Sequence, residues 1–95
     1  MNVQKWDKLT DDPATTYECP VLICPEACGG MSVYALNLPG IASQGESETE
    51  ALANIKEALT AAIQIYKADG LGIPWEDADV ERTSDSYERR IVVNA

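Results

Sequence analysis

Carboxylates and thiols are the side chains here best suited to hold a metal or act on a substrate: sixteen acidic residues and three cysteines, with no histidine at all. Carboxylates on neighbouring strands could hold magnesium ions beside a scissile phosphate, as a two-metal nuclease does. The interior of the first predicted strand is Val21, Leu22 and Ile23, which cannot ligate, and Glu18 and Glu26 lie only at its ends. Cys19, Cys24 and Cys28 contain no Cys-x-x-Cys pair, so a closed zinc site would need carboxylates or a second chain. An odd number of thiols reads as reduced side chains rather than a disulfide framework. A Ser or Cys nucleophile would lack its commonest general base, and Gly70-Leu71-Gly72 is too short and too acidic in context for a phosphate loop. The expectation is a protein that is not an enzyme and needs no metal or cofactor.

The formal net charge of -9 and a pI near 4.2 argue against direct nucleic-acid binding, which draws its affinity from lysine and arginine displacing counterions. A basic protein partner suits this charge. The acidic connection over residues 72–85 offers Asp77, Asp79 and Glu81, the hairpin region offers Glu26, and Trp75 offers an aromatic anchor. Taken singly, each has a plainer reading: solvated acids for the carboxylates, packing on the helix end or sheet edge for Trp75. No apolar run of about 18 residues and no charged-then-apolar leader is present, so no membrane association and a cytoplasmic location are expected.

The elements that must position these groups follow from local pattern. Residues 1–16 form a polar lead carrying Trp6, and residues 17–95 form the domain. Residues 17–23 alternate as a strand, with Pro20 confined to the start of a paired segment or an edge, because it cannot donate to a ladder. Gly29-Gly30 suits a hairpin, residues 31–36 the returning strand, Pro39-Gly40 a type II turn, and residues 41–44 a third strand. Ser47 and Glu50 make a capping box, starting a helix at Glu48 that runs to Asp69. Leu52, Ile55, Leu59, Ala62, Ile63 and Tyr66 form its apolar stripe; Glu50, Asn54, Glu57, Thr60, Gln64 and Lys67 form its solvated face. Residues 90–94 close as a strand.

This order resembles the HicB-like antitoxin domain, a degenerate ribonuclease-H-like fold. Leu38-Pro39-Gly40-Ile41, Gln44-Gly45-Glu46-Ser47 and the Glu-Ala-rich helix carry the likeness, which extends loosely over about four fifths of the chain. Asn37 and Ile41 stand where that family usually has aspartate and cysteine. The resemblance implies an antitoxin that neutralises a small basic HicA-type ribonuclease toxin by stoichiometric binding. The alternatives are an orphan structural or adaptor oligomer without a toxin and, more remotely, a metal-dependent nuclease. The sequence stops at Ala95, where many such antitoxins continue into a DNA-binding module.

The fold class expected is α+β, ordered β-β-β-α-β: a three-stranded antiparallel meander plus a closing strand, with one helix on one face. Parallel pairing of the last strand with the first would require a right-handed crossover. Because Leu22, Tyr34, Leu36 and Val92 are also apolar, a single helix would leave the second face bare, so a homo-oligomer is expected.

Overall fold

A computed structural model describes residues 15–95. Four strands and one helix follow in chain order: β1 (Thr16–Pro25), β2 (Met31–Ala35), β3 (Ala42–Gly45), α1 (Glu48–Ala68) and β4 (Tyr87–Asn94). They form the expected α+β fold, a single sheet ordered β3-β2-β1-β4 in which every pairing is antiparallel. The closing strand therefore enters from the Ile23 end of β1 and runs back to Thr16. It begins three residues earlier than its apolar pattern implies, because Tyr87, Glu88 and Arg89 pair with β1 while keeping polar side chains at an edge. Trp6 and the rest of the lead before Thr15 lie outside the described residues. Thr15 itself exchanges backbone hydrogen bonds with Ala95 at 3.0 and 3.1 Å.

Pro20 sits where the β1–β2 ladder starts. Its carbonyl accepts from Leu36 N at 2.9 Å, but it has no N–H to return the bond. The Leu36 carbonyl instead accepts from Ala78 N at 2.9 Å, and the Asn37 carbonyl from Glu76 N at 3.1 Å. The missing donor of one proline thus leaves an acceptor that fastens the connection after the helix to the end of β2.

The Leu38-to-Ile41 turn closes with Ile41 N donating to Leu38 O at 3.4 Å, and Gly40 takes the positive φ of +90° that this turn demands. At the start of α1, Ser47 Oγ accepts from Glu50 N at 3.2 Å, while Glu50 Oε1 accepts from Glu46 N at 2.6 Å. A Cβ on Gly45 would come within 2.8 Å of the Glu50 carbonyl carbon and 2.9 Å of Ala51 Cα, so only glycine lets β3 pass this close to the helix backbone.

One face of the sheet supplies Cys19, Val21, Ile23, Val33, Ala35 and Val93, which pack with Ala51, Ile55, Leu59 and Ile63 of α1 as the core. The helix's innermost positions recur every fourth residue from Ala51; Leu52 and Ala62 flank them and Tyr66 is half-buried. The supposed solvated face of α1 is partly engaged. Asn54 Nδ2 donates to Gln44 O at 2.7 Å, and Lys67 Nζ to Ala95 O at 2.7 Å.

The second sheet face is not bare, and this corrects the argument that one helix leaves it open. Leu22 is fully buried and Cys24 is 9 % exposed within a single chain, although neither belongs to the helix-side core. The acidic connection runs along this face, its Asp79, Val80, Glu81 and Thr83 sharing one depression with Cys24 and Tyr34. Val92, at 49 % exposed, is the apolar residue of β4 left in water.

Candidate functional site

The depression on that second face brings together three of the five predicted contact residues. Glu26, at the hairpin end of β1, and Asp79 and Glu81, in the connection, line a volume of about 420 Å³ together with Cys24, Pro25, Tyr34, Val80 and Thr83. All three carboxylates are exposed. Ser32 Oγ donates to Glu26 Oε2 at 2.6 Å, which fixes that carboxylate against β2. Among the described residues no lysine or arginine forms an ion pair with Glu26, Asp77, Asp79 or Glu81; the cations pair instead with Glu88, Glu48 and Glu18. Burial pushes the Cys24 thiol above its usual value, with Glu26 and Asp85 adding to the rise and Arg82 opposing it.

Asp77 and Trp75 lie outside this lining. Asp77 is exposed between the two residues whose amides are fastened to Leu36 and Asn37. Trp75 packs its ring against Tyr17, centroids 5.5 Å apart, and stays 41 % exposed. Its placement accords with both packing and a remaining outer surface for contact. Tyr34 and Cys24 were not foreseen as lining residues. Their positions two apart from Leu36 and Leu22 on the same strand face are the signal that points to them.

The chemistry this arrangement can perform is recognition of positive charge. Among the described residues no group of three or more Cys, Asp or Glu side chains is arranged to hold a metal ion. The described cysteines are free: Cys19 and Cys24 are buried, whereas Cys28 is exposed at the hairpin. Burial raises the Cys19 thiol above its ordinary value, partly offset by the Asn37 side chain, and the Asn37 Oδ1 is buried without a hydrogen-bond partner. Neither cysteine is thereby poised as a nucleophile, since reactivity follows the thiolate.

A second polar cluster has a structural task. Glu48, in the first turn of α1, accepts from Tyr87 Oη at 2.7 Å and from Arg89 Nε at 3.1 Å, and the Arg89 guanidinium lies 4.6 Å from the centre of the Tyr87 ring. The Tyr87 hydrogen bond first, then that from Arg89, holds the Glu48 carboxyl below its usual value, and the same Glu48 bond raises Tyr87. This cluster ties the helix start to β4. Among the described residues no helix is long and apolar enough to cross a membrane.

Comparison with known proteins finds relatives of matching size. The UPF0150 protein ssr1765 of Synechocystis is 34 % identical over 76 residues, which cover 80 % of this chain and 96 % of that protein. The UPF0150 protein Ta0767 of Thermoplasma acidophilum is 39 % identical over 59 residues, covering 62 % of this chain and 86 % of that protein. No family model and no solved structure matches the chain. The shared length and identity place the chain in the UPF0150 family.

Proposed function

We propose that this protein is an antitoxin-like binding protein that neutralises a small basic HicA-type ribonuclease by stoichiometric occlusion and performs no turnover of its own. The observation that carries the reading is the convergence of Glu26, Asp79 and Glu81 on one depression, none of them in an ion pair among the described residues, in a chain of net charge -9. Unpaired surface carboxylates lose little water on their own, yet together they steer a cationic RNA-binding face into contact and speed association. The same negative charge keeps the protein from competing for RNA. The resemblance of the hairpin, Pro-Gly turn and capped helix to the HicB-like domain supports this class of partner.

The test is titration of a HicA-type ribonuclease, sought as the product of a short basic reading frame beside this one. RNA cleavage should fall linearly with added protein and stop at a fixed molar ratio, with no cleavage by this protein alone in magnesium or manganese. Undiminished cleavage at molar excess, or metal-dependent RNA cleavage that tracks this protein and is lost in Glu26→Ala or Glu18→Ala, would contradict the reading.

A further inference from the structure

The two edges of the sheet are treated differently. On β3 the odd-numbered residues bond to β2, as the Ala35 N to Ile41 O bond at 3.0 Å fixes, so the even-numbered ones point their backbone outward. Helix side chains take two of the backbone groups along and just after this edge: Asn54 donates to Gln44 O, and Glu50 accepts from Glu46 N. On β4 the reciprocal bonds between Thr15 and Ala95 turn the odd-numbered residues toward β1, so Glu88, Arg90, Val92 and Asn94 aim their N–H and C=O groups away from the sheet. Of these, the Glu88 carbonyl accepts from Arg89 Nη1 at 3.2 Å, and no strand lies beyond β4 among the described residues. An open edge of this length is a template for another strand.

We propose that the occupant is β4 of a second copy of this chain, paired antiparallel about a two-fold axis at Ile91. Charge selects both the occupant and the register. Three of the seven basic residues, Arg82, Arg89 and Arg90, lie on this strand or shortly before it, so two acidic chains meet where their mutual repulsion is weakest. Centring on Ile91 sets Arg90 opposite Val92 of the second copy, Glu88 opposite Asn94 and Arg89 opposite Val93, with no like charges facing. Centring on Arg89 or Arg90 would set two arginines directly opposite, which destabilises a pair. The chosen register also pairs the whole of β4 and covers the exposed Val92. Two four-stranded sheets then become one, with both helices on the same face. The inference is independent of the toxin-binding reading.

Val92 is half exposed and its N–H bonds nothing within the single chain, so it can be replaced without disturbing the fold. Analytical ultracentrifugation across a dilution series should find the full chain dimeric at tens of micromolar. Val92→Arg, which faces Arg90 of the second copy twice over, should weaken the dimer by about two- to thirty-fold. Val92→Glu, facing the same arginines, should strengthen it by a similar factor, and Val92→Pro should leave a monomer with unchanged helical circular dichroism. A wild-type chain that is monomeric throughout, a Val92→Pro chain that still dimerises, or Arg and Glu variants that shift the dimer in the same direction would overturn the proposal.

Discussion

On one face of the sheet a regular helix lays Ala51, Ile55, Leu59 and Ile63 against Cys19, Val21, Ile23 and Val33; on the other, which buries Leu22, an acidic segment without regular structure shares a depression with Cys24 and Tyr34. The helix face is held by interlocking side chains on both partners. The connection is fastened mainly by its backbone, through Ala78 and Glu76 to Leu36 and Asn37, and turns its carboxylates to water. One face carries most of the core, while the other keeps its carboxylates in water.

This contrast predicts unequal costs for equal deletions. Leu59→Ala should lose about 2–5 kcal/mol in urea unfolding, because the rigid helix cannot close the cavity. Leu22→Ala removes a side chain that is just as buried, but the connection above it can settle inward, so its loss should fall at the low end of that range, about 2 kcal/mol. Equal losses would break the comparison. Gly45→Ala should cost about 1–3 kcal/mol by pushing β3 off the helix backbone, a penalty with no counterpart on the connection side.

Acid and alkali should act on the helix side through one cluster. Glu48 has its carboxyl lowered by Tyr87 and then Arg89, so its stabilising effect is present above the ordinary carboxylate range and is lost as pH falls through the lowered value. Tyr87 is raised by the bond to Glu48, so its contribution is present below the ordinary phenol range and lost as pH rises through the raised value. Thermal unfolding followed against pH should therefore decline at both ends. Because one bond shifts both groups, Glu48→Gln should remove the acid limb and flatten the alkaline one, and Tyr87→Phe should remove the alkaline limb and flatten the acid one.

Much of the helix face was legible in the sequence, because its signals are local. Ser47 with Glu50 marks the helix start to the residue, Pro39-Gly40 marks the turn, and the alternation at Tyr17, Cys19, Val21 and Ile23 marks the buried side of β1. Ala51 escaped the predicted stripe, since a small side chain carries a weak apolar signal even where it is fully buried. The connection face was less legible. Its cover consists of backbone bonds between Ala78 and Leu36 and between Glu76 and Asn37, which no side-chain pattern announces. Pro20 gave half of the information: its missing donor placed it at a ladder end, but what would occupy the stranded acceptor depends on the whole chain path. The first residues of β4 were missed for a related reason, as an edge strand with Glu88, Arg89 and Arg90 in water has no alternation to read.

In the proposed reading the acidic rim recognises a basic partner and contributes little to the fold. The decisive experiment is calorimetric binding of a HicA-type ribonuclease to the chain carrying Glu26→Gln, Asp79→Asn and Glu81→Gln. Affinity should fall by roughly three- to a hundred-fold, from about 0.2–1 kcal/mol for each charge removed, with unfolding stability changed by no more than about 0.5 kcal/mol. Unchanged affinity in the triple variant, with the wild-type chain binding the same ribonuclease, would contradict the claim.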